Sequence, residues 1–173
     1  MFRRMSVMGA FAAVVAAAVT AMALGASARS SATLTATTGV RYVINKYAQN
    51  TSHFAPGTVT SRSGGTLTVK SQAGSPHTFS IVRANQLPKT TTQIEACRIC
   101  RTLANEHGVD PKSNAPPTKP VVDVGAAGID RAGDSVFLPP NKTTKLKITA
   151  KKGRTLSFMC AIHPWMQGKL LVR

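Results

Sequence analysis

The sequence predicts an all-β fold, a β-sandwich interrupted by a single helical insertion, and three observations lead to it. Short runs rich in Val, Ile, Thr and Phe recur between turn residues, at residues 40–44, 57–61, 66–71, 77–83, 121–124, 134–138, 143–150, 155–160 and 169–173. Even spacing of short β-branched runs is the pattern of a sandwich. Several of these runs also alternate: in 145–150, Leu146, Ile148 and Ala150 fall on one face and Lys145 and Lys147 on the other, as in a half-buried antiparallel strand. Finally, only residues 86–133 break the rhythm.

Within that insert, Thr92-Gln93-Ile94-Glu95 has the form of a capping box and Gly108 supplies a stop, so a helix is expected over 93–107. Ile94, Cys97, Ile99 or Cys100, Leu103 and Ala104 would form its apolar stripe. Residues 110–120 contain Pro111, Pro116, Pro117 and Pro120. Proline removes backbone donors and blocks helix and central strand alike, so this stretch reads as an extended loop. The chain has no internal repeat.

The N-terminus sets Arg3 and Arg4 before an uncharged, Ala-rich run at residues 7–24 and then Ala26-Ser27-Ala28. That order is expected of a signal peptide over residues 1–28. An uncleaved membrane anchor is the alternative, because the run approaches the roughly 20 residues that span a bilayer. Either way the chain is expected to be exported, to a periplasm, a cell envelope or the extracellular space. Residues 29–39, mostly Ser, Thr, Ala and Gly, read as a flexible lead-in. One domain, 40–173, is then long enough to bury a core.

The 173 residues carry 22 Lys and Arg against 6 Asp and Glu, a net charge of +16. Such a field steers the protein toward acidic surfaces. Nucleic acid is not the expected partner. Lys89, Lys112, Lys119, Lys142, Lys145, Lys147, Lys151, Lys152 and Arg154 are scattered rather than interleaved with stacking aromatics. Anionic envelope polymers, lipid headgroups or an acidic protein partner fit the charge better.

The most informative stretch is Cys160-Ala161-Ile162-His163-Pro164-Trp165-Met166. Its C-x2-H-x2-M spacing puts a thiolate, an imidazole and a thioether on one short loop. Singly each would be read as a packing residue; together they are three of the four donors of a trigonal copper site with a weak axial sulfur. A second imidazole must come from elsewhere.

This loop resembles that of the cupredoxins, most closely their amicyanin branch. The resemblance extends to Gly65-Thr66-Leu67-Thr68-Val69, followed by Ser75-Pro76-His77-Thr78-Phe79, to Phe54-Ala55-Pro56-Gly57-Thr58-Val59-Thr60, and to Phe137-Leu138-Pro139-Pro140-Asn141. It covers about half of the chain beyond the leader. It implies a Greek-key sandwich, one type 1 copper ion, and His77 rather than His53 or His107 as the remaining ligand. The site residues expected are therefore His77, Cys160, His163 and Met166. The long interval between His77 and Cys160 departs from a minimal member. By the same resemblance, His163 would emerge through an apolar patch made by Ile162, Pro164 and Trp165 and offer an electron path to partners. Trp165 packing under the loop as a shield is the other reading.

A fixed two-His, one-Cys plane with a weak Met suits both copper oxidation states. With all four positions filled by protein there is no open place for a substrate, which argues against an enzyme. Multicopper oxidases, which share the domain type, need more histidines than the 4 present. The expected function is single-electron transfer between envelope redox proteins by a monomer; copper binding or delivery without obligatory electron transfer is the alternative.

For Cys97 and Cys100 three readings stand. In an oxidising compartment they would form a disulfide. A thioredoxin-like pair would need a βαβ setting, and the third reading is a second metal site using His107, or a bridge to another chain. Covalent haem is excluded, because Arg101 stands where histidine is required. His53 reads as a solvated surface residue and His107 as a helix-end residue facing the dipole.

Overall fold

The computed structural model describes residues 30–72, 74–113 and 115–173. The leader expected at residues 1–28, or the anchor in its place, lies outside the described residues.

Among the described residues, twelve strands and two α-helices follow in order: β1 (Ser31–Thr37), β2 (Val40–Val43), β3 (Tyr47–Asn50), β4 (His53–Ala55), β5 (Thr58–Ser61), β6 (Thr66–Ser71), β7 (His77–Val82), α1 (Thr91–Glu95), α2 (Arg98–Glu106), β8 (Val121–Val122), β9 (Ser135–Leu138), β10 (Thr143–Lys147), β11 (Thr155–Met159) and β12 (Gln167–Val172). One sheet runs β10-β6-β1-β4 and the other β5-β12-β11-β7-β9-β8, with β2 and β3 forming a separate hairpin. The chain changes sheet at β4/β5, β5/β6, β6/β7, β9/β10 and β10/β11. The result is the Greek-key β-sandwich the sequence implied.

Alternation fixes which side chains meet between the sheets. Leu34, Ala36, Leu67, Val69, Leu146 and Ile148 face inward from the first sheet, and Val59, Phe79, Ile81, Leu138, Leu156, Phe158, Leu170 and Val172 from the second. Phe54, Phe79 and Phe158 stack at their centre, with centroids 4.8 to 6.4 Å apart. Burying side chains of this size contributes roughly 1.5–3 kcal/mol each.

Three expectations are corrected. Residues 30–39 are not part of the flexible lead-in expected over 29–39, and the domain does not begin at residue 40. Ser31–Thr37 is an interior strand, parallel to β6 across six residue pairs and antiparallel to β4. The alternation of Ala32, Leu34 and Ala36 with Thr33, Thr35 and Thr37 was present in the sequence, but the small side chains hid it. Leu34 and Ala36 are fully buried. Residues 40–44 do form a strand, but it belongs to the exposed hairpin rather than to the sandwich: every residue of β2 and β3 is exposed.

The single helix expected over 93–107 is two. Thr90, not Thr92, caps α1, its side chain accepting from the Gln93 N–H, and Gln93 Oε1 accepts from the Lys89 N–H. At Cys97 the backbone leaves the helical region (φ −48°, ψ 91°), and its sulfur becomes the cap of α2, accepting from the Cys100 N–H. Further on, the buried Asp134 takes N–H groups from Val124, Asp130 and Arg131. One carboxylate thus closes the last turn of the insert.

Candidate metal centre

The two segments singled out as ligand-bearing converge at one end of the second sheet. His77 is the first residue of β7, and β7 pairs with β11 through Ser80 opposite Met159. Cys160 follows β11 directly, so adjacent strands deliver both side chains to the same place. The loop to β12 is closed by its own backbone: Cys160 N–H donates to the Met166 carbonyl at 2.9 Å, and Met166 N–H to the His163 carbonyl at 2.8 Å. His163 is thereby folded back over Cys160.

The Nδ1 atoms of His77 and His163 lie 3.9 and 3.7 Å from Cys160 Sγ. One donor atom from each of the three residues lies within 4.8 Å of the others. All three residues are buried, as is Met166, which packs in the core beside Cys160. Metal–nitrogen and metal–sulfur bonds are about 2.0–2.3 Å, so separations of this size suit atoms sharing one ion. The Thr38 hydroxyl lies 3.2 Å from His77 Nε2; with Nε2 carrying the proton, Nδ1 is left with a free lone pair. The sulfur accepts N–H groups from Thr78 and His163, each at 3.3 Å, which stabilise a thiolate.

Electrostatics agree with the geometry. Burial, aided by the neighbouring His163, pushes His77 down to about 4, and burial lowers His163 as well. Both imidazoles are therefore neutral near pH 7, with lone pairs to give. Burial raises the Cys160 thiol, so metal uptake must displace its proton. Two imidazole nitrogens, a buried thiolate and a thioether on the same loop are the donor set of a type 1 copper centre.

The other candidates fall elsewhere. His53 is exposed and bonded to Thr37. His107 is buried rather than set at a solvated helix end, and its ring is occupied by the Lys119 carbonyl and the Ser135 hydroxyl, so it takes no part in a second metal site. Cys97 and Cys100 form a disulfide, the first of the three readings. Trp165 combines both of its readings. Its indole N–H donates to the Ser52 carbonyl at 3.1 Å and its ring lies edge-on to His163 at 5.3 Å, yet it stays 40% exposed beside Ile162 at 44%. Nothing in the sequence marks Thr38, Thr78, Ser80 and Ser135 as parts of the site, because isolated hydroxyl residues carry no motif.

No family model matches the chain, and no curated protein does. Among solved structures it is similar to a purple cupredoxin from Nitrosopumilus maritimus (14% identity, 82% of this chain and 98% of that one, TM-score 0.41). It is also similar to auracyanin A, a blue copper protein from Chloroflexus aurantiacus (21% identity, 70% and 89%, TM-score 0.40), and to amicyanin from Paracoccus versutus (13% identity, 70% and 73%, TM-score 0.37). These likenesses are distant; the chain's own sheets and donor atoms define its class. In fold and donor set it is cupredoxin-like.

Proposed function

We propose that His77, Cys160, His163 and Met166 hold one copper ion and that the protein passes single electrons between redox partners outside the cytoplasm. The observation that carries the proposal is the convergence of two neutral imidazoles on one buried thiol, from segments remote in sequence. Bound copper supplies a one-electron couple.

The protein's part is to hold the donors still. Closure of the 160–166 loop, the Thr38 contact and the two N–H groups on Cys160 Sγ fix the donors before any ion arrives, so little rearrangement accompanies a change of charge. Burial keeps bulk water from the site. His163, 8% exposed with its ring edge-on to Trp165, is the ligand nearest the surface and the path by which a docked partner would be reached. The excess of basic residues favours a partner with an acidic surface. The apparent leader and the Cys97–Cys100 disulfide support an oxidising, extracytoplasmic location.

The test is a visible spectrum of the purified protein with copper(II). An intense band in the red part of the spectrum is expected, absent in Cys160→Ser. A folded, colourless wild type that still binds copper would favour a delivery role, and one that binds none would sink both readings.

A further inference from the structure

A chain of buried hydroxyls leads from the metal loop into the insert. Ala161 N–H donates to Thr78 Oγ1 at 2.8 Å. Thr78 Oγ1 lies 2.9 Å from Ser80 Oγ, and Ser80 Oγ 2.7 Å from Ser135 Oγ. Ser135 Oγ is 2.7 Å from Nε2 of His107, whose Nδ1 is 2.5 Å from the Lys119 carbonyl. Thr78, Ser80, Ser135 and His107 are each 4% exposed or less. None of this is needed to hold a sandwich together, and buried polar groups are costly unless satisfied.

The direction of every bond follows from donor arithmetic. A carbonyl only accepts, so His107 Nδ1 carries a hydrogen, and in the neutral ring Nε2 is then an acceptor. Ser135 must donate to it. With one hydrogen per hydroxyl, Ser80 donates to Ser135 and Thr78 donates to Ser80, leaving Thr78 Oγ1 to accept from Ala161. Protonation of His107 reverses the chain without moving a heavy atom. Nε2–H donates to Ser135, Ser135 to Ser80 and Ser80 to Thr78, and the Thr78 hydrogen is freed on the residue whose own backbone N–H already donates to Cys160 Sγ at 3.3 Å.

We propose that His107 is a positioning residue for the Cys160 sulfur, acting through Ser135, Ser80 and Thr78, so that its protonation adds a hydrogen bond to the thiolate and raises the reduction potential of the centre. The proposal rests on the copper reading above. A hydrogen bond to the ligand sulfur withdraws charge from it and favours the reduced ion; by linkage the reduced form then holds the His107 proton more tightly. His107 borders a cavity of about 510 Å³ shared with Ala104, Pro116, Phe137, Ala161 and Ile162. Charged residues on the surrounding segments are Glu106, Asp110, Lys112 and Lys119, all exposed, and the buried Asp134, whose carboxylate is taken up by backbone N–H groups. Among the described residues, no charged side chain hydrogen-bonds to the His107 ring.

The experiment follows the reduction potential against pH in wild type and in Ser80→Ala, with the His107 ring titration read by nitrogen NMR in both. In wild type the potential should rise on acidification in step with His107. In Ser80→Ala His107 should still titrate while that step vanishes; Ser135→Ala serves if Ser80→Ala fails to fold. A step that survives both interruptions comes from the site histidines and overturns the proposal, as does a His107 that never titrates in the folded protein. The metal-free protein gives a second readout: the Ala161 amide should shift with His107 protonation in wild type and not in Ser80→Ala. That measurement stands even if no blue centre forms, so failure of the copper reading and failure of the relay are separable.

Discussion

Two cysteine-bearing segments of this chain meet opposite fates, and the contrast shows what makes a thiol a ligand. Cys160 stands in a loop closed over itself, fully buried, with two imidazole nitrogens within 3.9 Å of its sulfur. Cys97 and Cys100 sit where one helix ends and the next begins, 5.3 Å apart at Cα, with each other as nearest sulfur. The residue type is the same in both places. The difference is geometric. A strand end and a tight loop turn Cys160 toward histidines, whereas a helix start turns Cys97 toward the residue three positions on.

Truncating a histidine breaks this comparison most severely. His77→Ala leaves Cys160 with one imidazole partner and should lower copper(II) affinity more than about 100-fold, beyond the 10–100-fold typical of losing an outer partner. Competition against a chelator measures it. Affinity within a few-fold of wild type would mean that Cys160, His163 and Met166 alone hold the ion, and that the convergence of the two segments is incidental.

The two segments were also unequally legible. Three of the four metal candidates lie within seven positions of one another, so spacing alone exposed the Cys160, His163 and Met166 group. His77 needed the likeness of its surroundings to a known family, because nothing local to a strand end says what it will face. The strands of the sandwich are legible wherever Val, Ile, Leu and Phe alternate with polar residues, as in β6, β7 and β10. The β1 strand is hard to read because Ala and Thr give so shallow an alternation that the stretch resembles a linker. The helix break at Cys97 was invisible, since the sequence offers no Gly or Pro there and the restart depends on a sulfur acting as cap. The Thr78–Ser80–Ser135–His107 chain joins three separated segments, and no periodicity reports a contact of that kind.

A smaller effect separates the two regions by pH. His77 is held at about 4 in the folded protein, against about 6.5 for an ordinary histidine. Between these values the unfolded chain binds a proton that the folded chain refuses, so stability rises with pH across that window and falls on acidification. Metal-free protein should therefore show a urea midpoint that declines as pH drops from about 6.5 toward 4, with a shallower decline in His77→Gln. Equal slopes would place the acid sensitivity elsewhere. The disulfide contributes nothing to this slope, because half-cystines do not titrate.

The smallest effect is expected at the disulfide. Cross-linking residues 3 apart closes so short a loop that the chain-entropy gain is at most about 2 kcal/mol. In the double variant Cys97→Ser, Cys100→Ser, part of that is recovered, because serine is itself a preferred N-cap and can accept from the N–H at position 100 in place of the sulfur. The buried cluster of Val82, Leu103 and Met159, against which the two cysteines pack, remains in place. The variant should thus keep the copper spectrum unchanged and lose only about 1–2 kcal/mol in denaturant unfolding. Loss of the spectrum would show that α2 and its disulfide help hold Met159, and through it the start of the ligand loop, which would make the second cysteine segment a support of the first rather than its counterpart.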